Sequence, residues 1–200
     1  ASIMSAPAAL VIAKIIYPET DKTNSNPVQL ESDKTSVNVM DALGNGTIIG
    51  LRLAVNVGAM LISFISIIAL VNYFLGIFGL TIESILGIIF QPLAWAMGIP
   101  WNESSLVGSL MGKKIVFTEF VAFSDLKLLI ANNQISERAA IITSYALCGF
   151  ANFGSIGIQL GGIGGIAPDR RKDIAQLIFK AMIGGALASW LTATLAGILI

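Results

Sequence analysis

Glu119 lies inside Gly112–Phe123, GKKIVFTEFVAF, a carboxylate surrounded by Val, Phe and Ala. An ionised carboxylate at bilayer depth costs several kcal/mol, roughly 2.5 to 3.5 on insertion scales, unless it faces protein or water. Two readings are open. Glu119 either accepts hydrogen bonds from a polar solute, or carries a coupling proton, at the tip of a re-entrant hairpin; or it is an interfacial carboxylate paired with Lys113 or Lys114. A second polar group lies in Cys148–Gly165, CGFANFGSIGIQLGGIGG, where Asn152 and Ser155 are spaced to share a helical face with Phe150 and Phe153 beside them. Such a patch either binds a solute or joins packed membrane helices. The chain has no His and a single Cys, Cys148, so no internal disulfide or His/Cys metal cluster is available. Glu119, Ser124 and Lys127 make a poor catalytic set, because nothing activates a nucleophile or a water. Cys148 reads as a small packing residue, Asn56 and Asn72 as helix glue, and Lys113 and Lys114 as snorkelling cations. Gly161, Gly162, Gly164 and Gly165 are not expected to cradle phosphate, since the Lys and Ser or Thr of a P-loop are missing.

The elements that carry these residues must be membrane helices. Of 200 residues, 55% are hydrophobic and 12% charged, and the mean hydropathy is +0.81. Lys plus Arg equals Asp plus Glu, so there is no basic field for nucleic acid. A spanning helix needs about 20 apolar residues. Leu53–Ile82, Ala139–Pro168 and Ala181–Ile200 carry no charge, and each is long enough to span. The apolar opening, interrupted by Lys14, is expected to be the tail of a further span in a C-terminal fragment. Pro18–Gly46 is a polar, charged loop, with Gly44-Asn45-Gly46 as a turn. Between Leu80 and Ile130 the apolar runs are short and broken by Pro92, Pro100 and charges. This stretch reads as an interfacial helix with Trp95 and Trp101 at headgroup level, followed by a re-entrant segment that implies a site. Arg52 and Pro168–Asp173, PDRRKD, are expected on the cytoplasmic side.

The pattern Gly-x-Lys-x-x-x-Asn-Glu-Phe-Val-Ala followed by an aromatic residue or Met is the signature of the concentrative nucleoside transporters. Gly112, Lys114, Glu119, Phe120, Val121, Ala122 and Phe123 match it, with Thr118 where the family has Asn. Gly149–Ile158, GFANFGSIGI, is similar to the family's second motif, with Gly154 in place of a Ser. Ser5–Ala9, Pro18–Thr20, Pro92–Trp95 and Gly98–Trp101 extend the resemblance over the whole chain.

The resemblance implies an all-α polytopic membrane protein of transmembrane helices and a re-entrant helical hairpin, the second half of the family's fold. Residues 1–17 would end transmembrane helix 5, 18–47 form a cytoplasmic loop, and 48–79 form helix 6 of a fixed scaffold. Residues 80–97 would be the interfacial helix, 98–132 re-entrant hairpin 2, 136–167 helix 7 and 172–200 helix 8. Helices 5, 7 and 8 and the hairpin would belong to the moving transport domain. Carried over by resemblance, Glu119, Asn152 and Ser155 bind ribose hydroxyls, Phe150 lies beside the base, and Thr118 occupies the variable position.

The expected activity is cation-coupled import of nucleosides, uridine or adenosine or their relatives, by an elevator-type motion of a homotrimer in the cell membrane. No enzymatic activity and no cofactor are expected. The coupling ion, Na+ or H+, would bind in the half absent from this chain. A passive facilitator or channel-like protein without ion coupling is the alternative.

Overall fold

The computed structural model describes residues 2–18 and 37–200, so residues 19–36 of the expected loop lie outside the described part. Among the described residues the secondary structure is helical throughout. Helix α1 runs Ser2–Ile16 and α2 runs Val39–Gly76. The Asn38 side chain caps α2 by accepting the Asp41 N–H at 2.9 Å, and Asp41 adds a negative charge to the positive helix end. The expected turn at Gly44-Asn45-Gly46 is therefore helical, and the loop ends at Asn38 instead of residue 47. Each glycine weakens the helix by about 1 kcal/mol, but the cap and an unbroken hydrogen-bond ladder carry it through.

Thr81 and Ser84 form a reciprocal cap that starts α3, Ile82–Ala96. Asn72 of α2 clamps this corner: its Nδ2 donates to Glu83 Oε1 at 2.9 Å, and its Oδ1 accepts the Ile82 N–H at 2.8 Å. The asparagine expected as generic glue thus fixes the entry of one particular helix.

After a turn at Gly98, whose φ of +98° favours glycine, α4 (Trp101–Val116) runs antiparallel to α3. Their seam is made of glycine. A Cβ on Gly108 would lie 2.5 Å from Gly87 O, and one on Gly112 would lie 2.8 Å from Glu83 O, so the two backbones touch. The segment expected at the membrane interface is therefore also the packing partner of the hairpin's first arm.

A break at Phe117 and Thr118 reverses the chain into α5, Glu119–Ala131, giving a hairpin with Glu119 at its tip. Lys113 and Asp125 form an ion pair between the arms. Leu110, Ala122, Leu126 and Leu147 pack between the hairpin and the following helix.

The charge-free stretch 139–168 is not one continuous span. It divides into α6 (Glu137–Leu147) and α7 (Phe153–Ile166), separated by Cys148–Asn152. Hydropathy does not register this break because its residues are as apolar as the helices they interrupt. A short 3-10 turn at Pro168–Arg170 leads into α8, Arg171–Leu199, which packs on α1, α6 and α7. Ala94, Val107, Met111, Ile142, Ala146, Met182 and Trp190 form the main core, where α3, α4, α6 and α8 meet. Among the described residues, Val39–Gly76 and Pro168–Leu199 are the helical stretches long and apolar enough to cross a bilayer. Only 6% of the most apolar window of the first is buried, so α2 presents most of its surface outward.

Candidate functional site

Two interrupted elements meet at one point. At the hairpin tip Glu119 is the first residue of α5, where unsatisfied N–H groups favour negative charge. At the other break Asn152 is the N-cap of α7: its Oδ1 accepts the Ser155 N–H at 2.8 Å, and Ser155 Oγ accepts the Asn152 N–H at 3.2 Å. With Oδ1 held this way, Nδ2 is turned outward and donates to Glu119 Oε2 at 3.2 Å, joining residues 33 apart in sequence. Asn152 is 1% exposed, whereas Glu119 is half-buried. Its other carboxylate oxygen accepts no hydrogen bond among the described residues. The arrangement offers a ligand one open acceptor on an oriented carboxylate.

The expected shared helical face of Asn152 and Ser155 is not how they meet. Asn152 precedes the helix in extended conformation, and the Ser155 hydroxyl is fully buried and donates to Asn152 O at 2.6 Å. Three-residue spacing fits a capping box as well as a helical stripe, and the break selects the former. Phe150 is 52% exposed beside the pair. Thr118 is the N-cap of α5, and its side chain makes no cap hydrogen bond. Ser124 turns away to bond Phe120 O.

Three readings of side chains change. Lys114 does not snorkel: it is 0% exposed and its Nζ has no hydrogen-bond partner among the described residues. Lys113, expected to snorkel or to pair with Glu119, pairs with Asp125. Cys148 is exposed at the helix break. Sequence reasoning also missed Glu103 and Arg138, which brace the hairpin base. Glu103 Oε2 accepts from Ser136 Oγ at 2.8 Å, and Arg138 donates to Gly197 O at 2.6 Å. Their positions at helix ends were the available signal.

A re-entrant hairpin tip hydrogen-bonded to the unwound middle of a second helix is the build of a secondary transporter. Residues 1–197 match the sequence profile described as Na+ dependent nucleoside transporter C-terminus. The chain belongs to that family, a family of membrane transporters and not of enzymes.

It is 48% identical to the uncharacterized transporter YutK of Bacillus subtilis, over 100% of this chain and 51% of that protein. It is 39% identical to the nucleoside permease NupC of Helicobacter pylori, over 100% of this chain and 50% of that protein. Among solved structures, a doubly substituted variant of CNTnw in an outward-facing state superposes with a TM-score of 0.85 at 41% identity, covering 99% of this chain and 49% of that one. CNTnw in an inward-facing substrate-bound state gives a TM-score of 0.74 at 42% identity, covering 96% and 48%. The chain spans about half the length of these bacterial relatives. The fold is thus that of a multi-pass membrane protein, as its hydropathy requires.

Proposed function

We propose that the complete protein is a nucleoside symporter of the cell membrane that carries its solute inward with a cation, Na+ or H+, by elevator-type alternating access. The observation that carries the site assignment is the Asn152–Glu119 hydrogen bond across the hairpin tip and the helix break. A sugar hydroxyl donates well to a carboxylate, and a carboxamide both donates and accepts, so the pair suits a vicinal diol. In this arrangement Glu119 and Asn152 contact the ribose, Phe150 covers one face of the base, and Ser155 acts by holding Asn152. Thr118 stands at the tip, where its hydroxyl substitutes for the family amide. The names sodium/nucleoside cotransporter 1 and NupC among the relatives support nucleoside as the solute and sodium as the first ion to test. The different scores against outward- and inward-facing CNTnw accord with a body that changes place between states. In this reading the complete protein is a homotrimer around the α2 scaffold, with α1, the hairpin, α6, α7 and α8 moving.

The test is uptake of labelled uridine and adenosine by the complete protein in liposomes, with Na+ and H+ gradients imposed one at a time. Accumulation driven by one gradient identifies a symporter and its ion. Equilibration without accumulation identifies a facilitator, and no entry of either nucleoside overturns the substrate. Glu119→Gln and Asn152→Ala are each expected to abolish uptake with expression intact; retained uptake in both defeats the sugar site.

A further inference from the structure

Lys114 is the largest fully buried side chain among the described residues, and the transport reading does not use its ammonium. It is completely buried, and its three N–H donors have no partner among the described residues. A buried cation is retained only where an opposite charge or aligned dipoles compensate it. Lys114 lies in the last turn of α4, at the end where the helix dipole is negative. A Cβ on Gly149, just past the end of α6, would lie 3.8 Å from its Nζ and would overlap Ser189 Oγ of α8. The titratable groups in its field are Glu119, across the hairpin tip, and Cys148, at the helix break. Lys113 is committed to Asp125 and Arg138 to Gly98 and Gly197 carbonyls. Among the described residues Lys114 and Glu119 form no ion pair, and Glu119 Oε2 accepts from Asn152. Two C-terminal helix ends thus surround an ammonium and two N-terminal ends surround a carboxylate and its carboxamide partner.

We propose that Lys114 is a positioning residue of the transport site, a tethered countercharge that holds the Glu119 carboxylate in place as an acceptor for the sugar while Asn152 holds its other oxygen. The proposal rests on the sugar-site reading above. Without the ammonium, the carboxylate at the tip would lose its countercharge and rotate toward water, which removes the acceptor. With the ammonium but no carboxylate, the buried cation is left uncompensated.

The test uses the complete purified protein with Lys114→Met, Glu119→Gln and the double variant, read by equilibrium uridine binding and by thermal unfolding. Lys114→Met is expected to weaken uridine binding at least tenfold and to lower Tm. Adding Glu119→Gln to it is expected to raise Tm again and to weaken binding no further than the weaker single variant does. Losses of Tm that add, or native affinity in Lys114→Met, overturn the proposal. Should Lys114→Met not fold alone, folding of the double variant supports the pairing, and failure of both overturns it. Native uridine affinity in Glu119→Gln is a different result: it defeats the sugar site, while the two Tm values still report whether the charges are coupled.

Discussion

Asn152 is held by hydrogen bonds with Ser155 on one side and donates to Glu119 on the other, and their separate effects can be measured. Removing the Ser155 hydroxyl loosens the cap without touching the amide that faces Glu119. A lost cap of this kind costs about 1 kcal/mol, so Ser155→Ala is expected to weaken nucleoside affinity about fivefold, far less than Asn152→Ala. Equal losses in the two variants would show that Ser155 touches the solute directly. Thr118 caps α5 without a side-chain hydrogen bond, and Asn ranks above Thr at such positions. Thr118→Asn is therefore expected to raise Tm and to shift nucleoside affinity or ion coupling, measured as uptake curves at several cation concentrations. Identical curves would mark the position as tolerant. Glu119 and Asn152 were legible as residues because a carboxylate and a carboxamide are conspicuous among apolar neighbours; Lys114 was not, because a lysine at the end of an apolar run ordinarily reaches for the interface.

The elements that hold these residues depend on glycine at contacts where any side chain would part the backbones. At Gly108 a Cβ would lie 2.5 Å from Gly87 O and 2.9 Å from Gln91 N. Gly108→Ala is expected to destabilise the protein by about 1 to 3 kcal/mol, the usual cost of overpacking. Gly50→Ala on α2, where nothing lies within 4 Å, is expected to leave Tm unchanged or raised. Similar Tm changes in the two variants would contradict the seam. The break between α6 and α7 also has an accessible reporter in Cys148, which is exposed beside Phe150. With other cysteines of the complete protein replaced, maleimide labelling of Cys148 is expected to inhibit uptake, and uridine is expected to slow the labelling. Labelling that leaves uptake intact would place the break away from the solute path.

At the scale of the molecule, the contact between α2 and α7 is where fixed and moving bodies would slide. Leu61 Cδ2 comes within 2.9 Å of a Cβ placed on Gly154, while Ile16 Cδ1 comes within 3.3 Å of one on Gly184. The first pair joins α2 to α7, the second α1 to α8. A cross-link between Leu61→Cys and Gly154→Cys is expected to arrest uptake reversibly, since in the proposed motion it would bridge the sliding surface. A cross-link between Ile16→Cys and Gly184→Cys should leave uptake running, because in the proposed motion both helices would travel together. Arrest by both, or by neither, would rule out this division into bodies.

The sequence by itself determined the solvent and the class. A mean hydropathy of +0.81 with long charge-free runs commits the chain to membrane helices, since a bilayer satisfies no backbone polar group. The motifs around Glu119 and Asn152 fixed the family, because their order of residue types is specific. What the tertiary structure decided was where helices stop and which buried groups face one another. Hydropathy is blind to a break whose residues are apolar, so 139–168 read as one span. Composition is equally blind to register, so the glycine seam and the inward turn of Lys114 were hidden. Both depend on which backbone lies opposite, and that is set only when residues 33 apart, such as Glu119 and Asn152, come into contact.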